Sequence, residues 1–214
     1  MLVALLLGVG IWQWRTHRYD EKAIIQPVSP SLAVAYFAGG CFWCTESDFE
    51  KVPGVVEVIS GYQGGHLKNP TYVEVTKETT GHRETVEVRY DSTKVSYERL
   101  VAHFFSHIDP TDAGGSFVDR GESYTSAIFY NSTDELMVIN AEIARLTSLG
   151  AYPTPIVTTI LPYSTFWPAE EYHQDFYKKS SLRYEYYRNA SGRDQKLSEQ
   201  CAYRATKGAG CVSL

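Results

Sequence analysis

Apolar positions along the chain recur with two different periods. From Thr85 to Tyr90 the period is two. Val86, Val88 and Tyr90 stand against Glu87 and Arg89, which predicts a half-buried strand. After Ser96, a good helix N-cap, the period becomes three and four. Tyr97, Leu100, Val101, Phe104, Phe105 and Ile108 then share one face, which predicts an amphipathic helix to about Ser106. Ser132-Thr133-Asp134-Glu135 has the form of a capping box. Leu136, Ile139, Ile143 and Leu146 follow it at helical spacing until Gly150. Short apolar or β-rich runs predict strands at Leu32 to Ala38, Val55 to Ser60, Tyr124 to Tyr130 and Ile156 to Leu161. An acidic, helix-compatible segment from Thr45 to Val52 separates the first two and stops at Pro53-Gly54. Pro168 suits the first position of a further helix running through Glu170 to Tyr177. Gly61 to Pro70 and Asp109 to Gly121 read as loops, and Thr71 to Thr80 as a surface segment.

Short strands and few helices in this order imply an α+β fold, one mixed β-sheet with helices packed on it. From Lys178 the chain turns basic, tyrosine-rich and aperiodic, and Ser198 to Leu214 reads as a weakly structured tail. The expected organisation is an N-terminal apolar segment and linker over residues 1–30, a folded domain over 31–195 and an extended tail over 196–214.

Composition narrows this picture. A chain of 214 residues suits one domain with extensions. A net charge of −5 gives no basic surface for nucleic acid. Met1 to Trp14 is apolar, with no charge before Arg15. That is short of the ~20 residues of a full membrane span and closer to the ~7–15 of a signal core. Ala33-Val34-Ala35 has the form of a cleavage site but lies inside the first predicted strand. An uncleaved anchor, a membrane tether through residues 1–14, is therefore expected. Arg15 and Arg18 behind the apolar run would hold the domain in the cytoplasm. Such a segment nevertheless serves a protein that is exported or tethered. An extracytoplasmic location is expected, with a cytoplasmic one as the alternative.

The four cysteines are Cys41, Cys44, Cys201 and Cys211. They are too few for a disulfide framework, so redox or catalytic use is the default. Cys41 and Cys44 form a C-x-x-C within Gly39-Gly40-Cys41-Phe42-Trp43-Cys44. If a helix begins at or just after Cys41, its free N–H groups and dipole favour a thiolate there. Two readings compete with catalysis by these thiols. One is a metal-binding module in which zinc joins the C-x-x-C to the widely spaced Cys201 and Cys211. The other is a general thiol–disulfide oxidoreductase, which needs a thioredoxin-like fold.

The G-G-C-F-W-C run does not stand alone. It is followed in order by Gly61-Tyr62-Gln63-Gly64-Gly65, Asn69-Pro70-Thr71-Tyr72, Thr80-Gly81-His82-Arg83-Glu84, Phe117-Val118-Asp119-Arg120-Gly121 with Tyr124, and Glu170-Glu171-Tyr172-His173-Gln174. Together these segments resemble the peptide methionine sulfoxide reductases of type A, from about Ala33 to Lys179. The resemblance implies a two-layer, ferredoxin-like α/β roll core. It implies peptide-methionine (S)-S-oxide reductase activity on free or peptidyl methionine sulfoxide, in the repair of oxidised proteins. No bound cofactor or metal is implied, only thioredoxin or another dithiol as reductant, and a monomer is expected.

The resemblance also implies roles. Cys41 attacks the sulfoxide sulfur and becomes a sulfenic acid, which a second thiol converts to a disulfide. Glu84 matches the family's acid, Tyr72 and Tyr124 its two phenol donors, and Phe42 and Trp43 the apolar wall for the S-methyl group. Asp119 matches an aspartate near the site, although an Asp in a Gly-rich turn needs no such role. His173 matches a supporting histidine, and His82 has similar standing. Many family members carry Gly where this chain has Cys44. Cys44 is expected to resolve Cys41, because a disulfide between neighbours on one helical turn needs little movement. Cys201 and Cys211 lie outside the resemblance, as secondary thiols.

Overall fold

The structure is a computed structural model that describes residues 21–212. The apolar segment 1–14 lies outside them. Among the described residues no helix is long and apolar enough to cross a membrane.

Six strands form the main sheet: β1 (Ala33–Ala38), β2 (Val55–Gln63), β3 (Arg83–Tyr90), β6 (Ala127–Tyr130), β7 (Thr159–Pro162) and β8 (Trp167–Pro168). Their order is β7-β6-β1-β3-β2-β8. Neighbours are antiparallel except β6 and β7, so the sheet is mixed and the fold α+β. A second hairpin, β4 (Gly115–Ser116) with β5 (Asp119–Arg120), stands apart from it. The helices are α1 (Phe42–Glu50), α2 (Tyr72–Val75), α3 (Tyr97–Ser106), α4 (Thr133–Ser148), α5 (Phe176–Lys179), α6 (Ser181–Ala190) and α7 (Arg193–Thr206).

The period-two residues of β3 set the core. Val86, Val88 and Tyr90 join Ala35 and Phe37 of β1 in one cluster with α1, α3 and α4. Phe37 stacks on Phe49 at 4.7 Å and packs against Phe104 at 5.2 Å. Glu84 has the same parity as Val86 and Val88, so the strand aims its carboxyl toward α1. The opposite face of β3 was expected to be solvated, and it is not. Glu87 and Arg89 are buried as an ion pair of 2.8 Å. The Tyr36 hydroxyl donates to Glu87, and Arg89 donates to the carbonyl of Gln26. Tyr36, Phe166 and the N-terminal segment therefore cover this second face of the strand.

Three other expectations change. Pro168 does not open a helix but ends the edge strand β8, opposite Gly61. An edge position leaves the proline's missing N–H without consequence. Tyr124 sits in a 3-10 turn, Glu122–Tyr124, and the strand begins only at Ala127. Gly121, at φ +130°, turns the chain, and the N–H of Tyr124 donates back to its carbonyl.

The aperiodic C-terminal region is helical. Its inward face is built from Phe176, Tyr184, Arg193, Leu197 and Arg204. Arg204 is buried by donating to the Phe105 carbonyl and the Tyr152 hydroxyl, both at 3.0 Å. Hydrogen bonds, not an apolar stripe, dock this segment. Cys201 and Cys211 are joined as a disulfide that closes its end.

Candidate active site

The turn between β1 and α1 requires glycine. Gly40 has φ +87°, and a Cβ there would lie 2.4 Å from Cβ of Ser116. The turn delivers Cys41 as the N-cap of α1, with Cys44 one turn into the helix. Both thiols are free and buried. The first helical N–H, that of Phe42, does not face a sulfur. It donates to Oε2 of Glu84 at 2.9 Å.

This arrangement reverses one expectation. Burial pushes the Cys41 thiol well above its ordinary value, and the hydrogen bond to Cys44 adds to the shift. Cys44 is lowered instead, chiefly by the hydrogen bond from Cys41, with further help from the Arg193 and Arg188 guanidiniums. In the resting site Cys41 is the protonated member of the pair. The helix N-terminus does not ionise it, because the N–H that would do so is engaged by Glu84.

Glu84 is 3% exposed. Burial raises its carboxyl well above the ordinary range, the negative charge of Asp119 adds to this, and the Phe42 N–H opposes it. Burial therefore favours the protonated, neutral form of this carboxyl. Around it, α2 and the 3-10 turn bring in the two phenols. Thr71 caps α2 reciprocally with Glu74, a complete capping box. The Tyr72 and Tyr124 hydroxyls bond to each other. Burial pushes Tyr72 up to about 12 and raises Tyr124 as well, so both remain protonated donors.

The aromatic wall is continuous. Trp43 stacks on Phe176 at 3.8 Å and donates from Nε1 to Nδ1 of His173 at 3.1 Å. His173 packs against Phe42 at 4.8 Å and Tyr72 at 4.6 Å. Burial, then the charge of Lys22, hold His173 down at about 3, so it is neutral. With Nδ1 accepting from Trp43, its proton lies on Nε2. His82 lies elsewhere in function. Its Nε2 meets the Leu67 carbonyl at 2.7 Å and its Nδ1 accepts from the Gly65 N–H, so it braces the 61–70 loop.

The structure brings Cys41, Cys44, Phe42, Trp43, Tyr72, Glu84, Tyr124, Asp119 and His173 to one place. Cys201 and Cys211 are bonded to each other, so in this structure they do not join the C-x-x-C in a four-cysteine arrangement.

Sequence reasoning missed Tyr187. This tyrosine of α6 donates to Oδ2 of Asp119 and hydrogen-bonds Cys41. It also meets Trp43 edge-on at 5.9 Å. Tyr184, Tyr187 and Arg188 recur at helical spacing in the tyrosine-rich tail, and that periodicity was the available signal. Behind Cys44, Arg188 pairs with buried Asp48 at 2.8 Å, and Arg193 joins at 3.5 Å. Tyr187→Phe removes one hydrogen bond to the nucleophile, worth on the order of 1–2 kcal/mol. Single-turnover methionine formation should slow about tenfold, with the melting temperature little changed. An unaltered rate would remove Tyr187 from the reacting network.

A buried acid, two phenols and a thiol pair beneath an aromatic wall define an α+β protein with a thiol redox centre. The model of the peptide methionine sulfoxide reductase family matches residues 33–205, and the chain belongs to that family. It is 53% identical over 179 residues to the peptide methionine sulfoxide reductase MsrA/MsrB of Vibrio cholerae, covering 84% of this chain. It spans 47%, about half, of that relative's length. It is 49% identical over 172 residues to peptide methionine sulfoxide reductase MsrA of Bacillus subtilis, covering 80% of this chain and 97% of that one. Among solved structures, Mxr1 from Saccharomyces cerevisiae in reduced form aligns with a TM-score of 0.68 at 27% identity, covering 72% of this chain and 90% of that chain. Mxr1 has also been solved in complex with Trx2.

Proposed function

We propose that this chain reduces methionine S-sulfoxide, free or within a peptide, to methionine, using its own thiols and an external dithiol. The observation that carries this reading is the Glu84 carboxyl. It is buried where its neutral form is favoured, and it is bonded to the N–H of the residue that follows Cys41. An acid so held can protonate a sulfoxide oxygen while the neighbouring sulfur attacks.

The S-methyl group lies against Phe42 and Trp43, and the sulfoxide oxygen faces Glu84, Tyr72 and Tyr124. Cys41 sulfur bonds to the sulfoxide sulfur as Glu84 protonates the oxygen, and the thiol's own proton passes to the Glu84 carboxylate so formed. The oxygen then passes to Cys41, the sulfur–sulfur contact breaks, and methionine departs with two more electrons than the sulfoxide had. Cys41 is left as a sulfenic acid. Cys44 attacks it, water leaves, and a Cys41–Cys44 disulfide remains. A thioredoxin-like dithiol reduces that disulfide by exchange and is itself oxidised. Arg193 and Arg188 favour the Cys44 thiolate that this step uses, against the smaller opposing charge of Asp48.

Cys44→Ser separates the two halves of the cycle. It should release one equivalent of methionine per enzyme and then stop when thioredoxin is the reductant. Wild type, quenched after one turnover and mapped by mass spectrometry, should show Cys41–Cys44. A Cys41–Cys201 disulfide in its place would overturn the assignment of the resolving thiol.

A further inference from the structure

Residues 21–23 precede the stretch that the family model matches, and their sequence reads as polar linker. They are nevertheless part of the active-site wall. Lys22 forms an antiparallel bridge with Glu170. The N–H of Ala23 donates to the Ala169 carbonyl at 3.1 Å, and the N–H of Glu171 donates to the Glu21 carbonyl at 2.9 Å. This strap lays the Lys22 side chain across the segment that leads to His173.

The Lys22 ammonium donates to Oε1 of Glu170 at 3.1 Å and to the Pro70 carbonyl, and it lies 4.9 Å from the Tyr62 ring centre. The side chain of Glu170 is 1% exposed. Both its oxygens are engaged. Oε1 also accepts the N–H of Tyr72 at 3.0 Å, and Oε2 accepts the Tyr62 hydroxyl at 2.9 Å. A carboxylate so deeply buried requires a counter-charge, and Lys22 is the cation paired with it. The same ammonium grips Pro70, two residues before Tyr72, while Glu170 grips the Tyr72 backbone. The chain entering α2 is thus clamped on two sides by one charge pair.

We infer that Lys22 is a positioning residue of the reductase site, acting through Glu170 to fix the Tyr72 backbone and so the phenol that meets the sulfoxide oxygen. The inference rests on the reading of Tyr72 as an oxygen donor. The reductase core therefore extends back at least to Glu21 in function, a dozen residues ahead of its first main-sheet strand. A phenol aligned for the transition state contributes to kcat more than to substrate binding. Loss of the clamp should therefore appear in kcat.

The experiment is a double-mutant cycle on free methionine S-sulfoxide with dithiothreitol as reductant. Lys22→Met should lower kcat about tenfold with KM changed less than twofold, and Lys22→Arg should restore most of the loss. In a Tyr72→Phe background Lys22→Met should add less than a twofold effect, because the group it positions is gone. Independent, multiplying losses would overturn the inference, as would an equal fall in kcat for Lys22→Arg and Lys22→Met. Wild-type kcat in Tyr72→Phe alone would instead refute the reading of Tyr72, a result distinct from failure of the clamp. If Lys22→Met does not fold, pairing it with Glu170→Gln removes the unmatched charge. That double variant should fold and show the same loss of kcat, and wild-type kcat there would also overturn the inference.

Discussion

Cys41→Ser should form no methionine from methionine S-sulfoxide, even with dithiothreitol in excess. The loss is absolute because the reaction is an electron transfer as well as a displacement. Two electrons pass from a protein sulfur to the sulfoxide, and oxygen moves the other way. A serine oxygen cannot be oxidised to carry that oxygen, so no weaker version of the step exists. Cys44 cannot substitute, since it is 1% exposed against 7% for Cys41. It also lies a helical turn further from the acid, because Glu84 is bonded to the N–H of Phe42. The variant should fold. Serine is an excellent N-cap, and Cys41 makes no capping side-chain bond that serine would lose. Chromatographic measurement of methionine, beside a melting curve, checks both halves of the expectation. Turnover at the wild-type rate would place the chemistry on another residue.

How much of this was legible before the fold was known depends on how each residue is buried. The strand β3 and the helices α3 and α4 were readable because their inward faces are apolar and periodic. Glu84 was legible only through the resemblance, because a lone glutamate at the start of a strand reads as a solvated carboxylate; its shared parity with Val86 and Val88 tells only once β3 is placed against α1. The α6 and α7 helices were not readable. Tyr184, Arg193 and Arg204 enter the interior by hydrogen bonding, and such residues leave no apolar stripe to find. The four-residue helix α2 is carried by its cap, Thr71 with Glu74, and is too short to show a period. The protonation of the thiol pair was the least legible feature. A C-x-x-C at a helix start points to a thiolate on the first cysteine. Which residue takes the first helical N–H is fixed only when β3 places Glu84 there.

The fold gives each member of the C-x-x-C a different electrostatic neighbour. Cys41 faces Glu84 and the Tyr187–Asp119 pair, in a site that disfavours negative charge. Cys44 faces the two arginines that belong to the C-terminal helices. The tyrosine-rich, aperiodic segment after Lys178 therefore supplies both the phenol beside the attacking sulfur and the cations behind the resolving one.

Glu84→Gln is the second expected large loss. The amide keeps the size of the side chain, and its oxygen can still accept the Phe42 N–H, so the turn at α1 should persist. What it loses is a transferable proton. General acid catalysis contributes roughly 10²–10⁴-fold, so kcat should fall by about that range while the S-epimer still binds. The pH dependence gives a sharper test. Glu84 acts in its protonated form, and burial raises its carboxyl well above the ordinary value. Wild-type single-turnover rates should fall as pH rises through that raised value, and the Gln variant should lack this limb. Stability follows the same sign. The folded protein holds a proton on Glu84 that the unfolded chain releases above about pH 4.3. That contribution to stability is present in acid and is lost as pH rises through the folded-state value. Glu84→Gln should therefore lose less stability than wild type between mildly acidic and alkaline pH, as urea titration at two pH values would measure. A variant slower in catalysis yet less sensitive to alkali is what a buried acid retained for its proton requires. A wild-type pH limb in the Gln variant would assign the proton to Tyr72, Tyr124 or the thiol pair instead.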